Sequence, residues 1–112
     1  MRSTELLKGT LQTIILKLLS NTDRMYGYEI TQHVKDLTAG KLILTEGALY
    51  PTLHKLEAEG LVTTEQEAIG KRIRKYYRLT TEGNSIVKIK LKEFRDFVNI
   101  MNQIFENKPI IA

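Results

Sequence analysis

Residues 71–78, KRIRKYYR, place five cations in eight positions with no acid among them. Cations at that density suit phosphate, because each phosphate neutralised by lysine or arginine releases counterions and adds salt-sensitive affinity. The rest of the chain lacks this bias. Residues 1–70 carry 7 Lys/Arg against 9 Asp/Glu, and residues 79–112 carry 5 against 4, so the positive excess behind the net charge of +4 sits in one octapeptide. A patch this concentrated implies a polyanionic partner more than a generally basic surface would. A lysine-rich edge strand that blocks sheet-to-sheet aggregation accounts for one or two such charges, not for five of eight.

Nothing comparable points to catalysis. His33 and His54 are the only histidines, cysteine is absent, and no acid pair converges by spacing. Neither a metal site nor a nucleophilic triad is indicated, so no enzyme activity and no cofactor are expected. His33 falls mid-helix, where a solvated surface residue is the default. The lack of cysteine excludes a disulfide framework and fits a reducing compartment. The most apolar early run, Leu11 to Leu19, is short and carries Lys17. It reads as a core helix rather than a signal peptide or membrane span, so the expectation is a cytoplasmic protein with no membrane partner.

The elements that must carry the basic patch follow from periodicity. Leu6, Leu7, Leu11, Ile14, Ile15, Leu18 and Leu19 recur at helical spacing, predicting a first helix from about Leu6 or Thr10 to Ser20. A second starts near Tyr26–Gly27 and runs through Ile30, Val34 and Leu37 to Gly40. Lys41–Leu44 is too brief for a helix and is a candidate minor strand. Thr45 caps a third helix over 45–59, with Glu46 at its positive end and Gly60 closing it. Leu61–Glu67 and Arg72–Leu79 read as strands joined near Gly70, a β-hairpin with a basic tip. Thr80 or Thr81 then caps a last helix reaching about Asn107, before Pro109. This order is a winged helix-turn-helix: mainly α with a small β-hairpin, divided into a domain at 1–81 and a long C-terminal helix with its tail at 82–112.

The third helix contains a proline. Stepping 100° per residue puts Leu49, Leu53 and Leu56 on one face and Gly47, Pro51, His54 and Ala58 on the other, flanked by Tyr50 and Lys55. That outer face is slim, which suits close approach to a groove. The bond Pro51 cannot make would go to Gly47, so the disruption stays in the first turns. Alternatively Pro51 marks the true helix start, but Tyr50 would then be a poor cap and Thr45 is a good one. His54 alone is weak; with Tyr50 and Lys55 it points to nucleic acid.

In the second hairpin strand, Ile73, Lys75, Tyr77 and Leu79 share one side, and Arg74, Tyr76 and Arg78 the other. Tyr77 and Leu79 are expected on the core, leaving Lys71, Arg72, Arg74 and Lys75 as phosphate contacts over the wing, 68–78. In the last helix Val87, Leu91, Phe94, Val98, Met101 and Phe105 recur at steps of 4, 3, 4, 3, 4, a heptad stripe. Phe97, Ile100 and Ile104 widen it. One small domain cannot cover both bands along about 37 Å of helix, so a homodimer is expected; a helix folded fully back over helix one is the monomeric alternative. A dimer would present two reading helices to half-sites about 34 Å apart.

With these residues in place, the chain resembles the PadR-like transcriptional regulators, in the short form with a single C-terminal helix. The matching motifs are LLKGTL at 6–11, YGYEI at 26–30, EGALYPTLHKLEAEGLV at 46–62, KYYRLT at 75–80, and Gly83. The resemblance implies a dimeric repressor that binds a palindromic operator in double-stranded DNA, built into a dimer by the C-terminal helix and the N-terminal segment. It implies DNA contact around Thr45, Tyr50, Pro51, His54 and Lys55, and from the wing. Tyr26 and Tyr28 are either packing residues or phosphate contacts. Some members sense phenolic acids and others bind flat aromatic drugs, so a small aromatic ligand at the dimer interface is a possible partner. With no tryptophan, such a site would not be a tryptophan stack. Phe94, Phe97, Met101 and Leu11 could line an apolar cavity, and serve equally as dimer core.

Overall fold

The protein is described by a computed structural model covering residues 5–107. Helix α1 (Glu5–Ser20) buries Leu7, Leu11, Ile15, Leu16, Leu18 and Leu19. Leu6, counted in that stripe from its spacing, is instead 79% exposed. Strand β1 (Met25–Tyr26) leads directly into α2 (Gly27–Leu37), where the Glu29 carboxylate accepts the Tyr26 amide at 3.1 Å. This serves one of the donors left open at a helix start.

Helix α2 buries Ile30 and Val34 but stops at Leu37, nearly a turn before Gly40. The Thr38 hydroxyl donates back to the Val34 carbonyl at 2.9 Å and accepts the Leu42 amide at 3.0 Å. Leu42 thus finds a side-chain partner where a strand would need a neighbouring chain, and residues 41–44 form a connector with Leu44 buried. The minor strand expected there lies instead at Met25–Tyr26.

Helix α3 (Glu46–Ala58) is capped by Thr45, whose hydroxyl accepts the Ala48 amide at 3.3 Å. Leu49, Leu53 and Leu56 are fully buried. At its end Gly60 adopts φ +76°, and the amides of Gly60 and Leu61 reach the carbonyls of Glu57 and Leu56, both at 3.0 Å. This pair of bonds is a Schellman closure. Pro51 lies inside the helix and is exposed, so it is not the helix start.

Strands β2 (Val62–Ile69) and β3 (Arg72–Leu79) form an antiparallel hairpin, and β1 pairs with β3 to give the order β1-β3-β2. Ile69 faces Arg72, so the turn is Gly70–Lys71, with Gly70 at φ +59° as a type II′ turn requires at its first position. Val62, Tyr77 and Leu79 close the core from this side.

Helix α4 (Thr81–Glu106) starts from Thr80, whose hydroxyl accepts the Gly83 amide at 3.0 Å, and ends at Asn107 in the left-handed region. Residues 108–112, which include Pro109 and the tail of the expected C-terminal segment, lie outside the described residues. Helix α1 packs against α3, α4 and β3. Among the described residues, no helix is long and apolar enough to cross a membrane. The architecture is the expected winged helix-turn-helix with one long additional helix.

Candidate nucleic-acid interface

Tyr50 and His54, one turn apart on α3, line a groove of about 720 Å³ together with Ile69, Arg72, Ile73, Arg74, Lys75 and Tyr77 of the hairpin. Tyr26, Gly27 and Tyr28 complete the wall at the start of α2. The groove therefore joins a slim helix face, an arginine-bearing hairpin and a helix N-terminus. Gly27 makes the closure possible: a Cβ there would stand 2.4 Å from the Tyr50 hydroxyl.

The outer face of α3 divides in two. Gly47 and Pro51 line a second, smaller cleft with Thr45, Ala48, Thr52, and Lys8 and Leu11 of α1. Pro51 is thus away from the core, but on the α1 side of the helix rather than on the wing side with Tyr50 and His54. Thr45 is half-buried and engaged as the cap, and Lys55 is exposed without lining either recess.

The hairpin alternates as expected for Tyr77 and Leu79, both buried. Ile73 shares their side of the strand yet is 71% exposed, because the hairpin projects past the core. With Ile69 it makes the wing's groove wall partly apolar.

The charge count along the sequence omitted acids contributed from across the sheet. Arg78 pairs with Asp23 and, at 2.7 Å, with Glu65. Lys75 sits 3.9 Å from Glu57. Arg24 pairs with Glu65 at 2.8 Å and with Glu67. Hydrogen bonds from Arg78 and then Arg24 hold the Glu65 carboxyl below the usual glutamate range. Among the described residues, Lys71, Arg72 and Arg74 form no ion pair with a carboxylate, so the unpaired charge narrows to the wing tip, with Glu29 acting on Arg74 only at longer range.

Arg74 is nevertheless held. Its guanidinium lies 4.0 Å from the centre of the Tyr26 ring and donates to the Tyr76 hydroxyl at 3.3 Å. Tyr26 and Tyr76 face each other across β1 and β3, with ring centres 5.6 Å apart and edge to face. Arg24 covers the Tyr76 ring at 3.7 Å. Tyr28, by contrast, is 63% exposed at the mouth of the groove.

On α4 the heptad residues part company. Val87 is buried in the core of the chain and Leu91 packs at its edge. Beyond them Phe94, Phe97, Val98, Ile100, Ile104 and Phe105 are all exposed, and Met101 is half-buried. Phe94 and Phe97 line an open groove of about 490 Å³ with Leu6, Gly9, Thr10 and Thr13 of α1. Leu11, grouped with them as a possible cavity residue, is instead in the core and 2% exposed.

Residues missed by sequence reasoning are Ile69 and Ile73 as groove wall, Gly27 as the space for Tyr50, and Arg24 as a partner of the wing. The YGYEI motif marked the place of Gly27; no local signal marked Arg24, whose partners lie 41 and 43 residues away.

Residues 15–88 match the model of the transcriptional regulator PadR-like family. An uncharacterised protein of Lysinibacillus sphaericus is 31% identical over 105 residues, covering 91% of this chain and 94% of that protein. The transcriptional regulator YqjI of Escherichia coli is 37% identical over 75 residues, 67% of this chain but only 34% of that longer protein. A transcriptional regulator from Clostridium thermocellum superposes with a TM-score of 0.81 at 31% identity, covering 90% of this chain and 95% of the other.

Proposed function

This chain belongs to the PadR-like family of transcriptional regulators, and on that premise we propose that it is a homodimeric repressor binding a palindromic operator in double-stranded DNA. The observation that carries the proposal is the groove between α3 and the hairpin, with Tyr50 and His54 on one wall and Arg72 and Arg74 on the other. In this reading α3 enters the major groove, where Tyr50 and His54 meet base edges. Lys55 follows on the same exposed surface, Thr45 and Pro51 shape the entry of the helix, and Lys71, Arg72, Arg74 and Lys75 grip phosphates. Residues 1–81 act as the DNA-binding domain and 82–112 as the dimerisation segment.

Dimerisation rests on α4. Val87 and Leu91 anchor the helix on its own domain, and Phe94, Val98, Met101 and Phe105, with Phe97, Ile100 and Ile104, meet the second copy. So much contiguous apolar surface on one helix marks an interface. Replacing Phe97 with Glu should shift the sedimentation profile to monomer while leaving the far-ultraviolet spectrum of the fold in place. A chain that is monomeric before the change would contradict the dimer.

DNA binding is tested by titrating duplex DNA from upstream of the chain's own coding region at several salt concentrations. The expected result is affinity falling steeply and log-linearly with salt, and a transcription reporter silenced by the wild-type protein. Binding absent at low salt, or indifferent to salt, would sink the proposal. The open groove between α1 and α4, lined by Leu6, Phe94 and Phe97, supports a second reading, a small aromatic ligand that relieves repression at the dimer interface. Quenching of such a ligand's fluorescence, lost on Phe94→Ala, would support it; unchanged quenching would count against it.

A further inference from the structure

Among the described residues, Arg74 is the wing cation that forms no ion pair with a carboxylate and is yet fixed by neighbours. Its guanidinium rests on the Tyr26 ring at 4.0 Å and donates to the Tyr76 hydroxyl at 3.3 Å. Tyr26 meets Tyr76 edge to face, and Arg24 lies on the Tyr76 ring at 3.7 Å. Arg24 is anchored in turn on Glu65 and Glu67. Four side chains from β1, its approach and β3 thus form a stack of two adjoining rings with a cation on each end, the Arg74 end lying at the groove.

Such a stack has a physical consequence. A free arginine on a hairpin surrenders rotamer freedom when it meets a phosphate, and a side chain already held surrenders less. The rings hold Arg74 without neutralising it, since a π face attracts a cation but carries no net charge. The opposite design operates at Arg78, whose charge is compensated by Asp23 and Glu65.

We infer that Tyr26 and Tyr76 are positioning residues that hold Arg74 ready for a DNA phosphate, with Arg24 bracing the far end of the stack. This rests on the DNA-binding reading of the groove. It assigns Tyr26 to packing beneath the arginine rather than to a phosphate contact of its own.

A double-mutant cycle on duplex affinity tests it. Tyr26→Leu should weaken binding about threefold to tenfold when Arg74 is present, and leave it nearly unchanged in the Arg74→Ala background. Tyr26→Phe, which keeps the ring, should retain most of the affinity. Should Tyr26→Leu fail to fold, Tyr76→Phe serves instead: it keeps the ring stack and removes only the acceptor for Arg74, so its smaller loss should likewise vanish without Arg74. Equal losses with and without Arg74, or a Tyr26→Phe as weak as Tyr26→Leu, would overturn the inference while the DNA-binding reading stands. Wild-type protein that binds no duplex would overturn both.

Discussion

The Tyr50 hydroxyl lies so close to Gly27 that a Cβ on residue 27 would stand 2.4 Å from it. Gly27 is the first residue of α2 and Tyr50 lies on α3, so the contact ties the two helices along one wall of the groove. Gly27→Ala would push against the far end of a side chain that is 36% exposed and free to swing outward. The expected outcome is stability within about 1 kcal/mol of wild type, with Tyr50 displaced and DNA affinity or sequence preference altered. Urea unfolding and duplex titration, done together, check this; loss of stability without change in DNA binding would contradict it.

A second glycine behaves oppositely. A Cβ on Gly83 would lie 2.1 Å from the Leu61 carbonyl oxygen, which is backbone and cannot swing aside. The Thr80 amide also bonds that carbonyl at 3.1 Å. Gly83→Ala must therefore move the first turn of α4, and we expect a loss of at least about 2 kcal/mol, read from chemical denaturation. Unchanged stability would mean that α4 is not seated on Leu61.

Two arginines of the octapeptide should separate in a salt titration. Arg72→Ala, at the uncompensated tip, should lower the slope of log affinity against log salt by about 1. Arg78→Ala should leave that slope nearly unaltered, because its charge faces Asp23 and Glu65. Equal effects would mean that the ion pairs open on binding.

The residues behind these predictions were unequally legible in the sequence. The core stripes, the Thr45 cap and the Gly60 closure are local signals, and they give α1, α3 and the hairpin nearly to the residue. The position of Tyr50 and His54 opposite the core follows from helical rotation alone. The split of that outer face, with Pro51 toward Lys8 and His54 toward the wing, depends on where α1 and the hairpin pack and has no local signature. For the same reason Glu65 and Glu67, read along the chain, lie outside the basic octapeptide, yet register pairs them across from Tyr76 and Arg74. Lys41–Leu44 looked strand-like by composition, but Thr38 supplied its hydrogen bonds.

Glu65 gives a pH signature. Bonds from Arg78 and Arg24 keep its folded-state pKa below the ordinary glutamate value, which is about 4.3. As pH falls, the unfolded chain therefore takes up this proton first. The stabilisation is complete above the ordinary value and is lost as pH falls through it to the folded-state value. Glu65→Gln should flatten the fall in urea midpoint as pH drops through the ordinary glutamate range and below it, and added salt should mimic part of that effect. An identical profile in the variant would mean that the carboxylate is unpaired in solution.

In the proposed function, DNA sits in the groove between α3 and the hairpin. The most direct test is nuclear magnetic resonance mapping of the protein titrated with a short duplex at low salt. The largest shift changes are expected at Tyr50, His54, Arg72, Ile73 and Arg74, with buried Leu53 and Leu56 little affected. Changes confined to α4, or none at any duplex concentration, would contradict it.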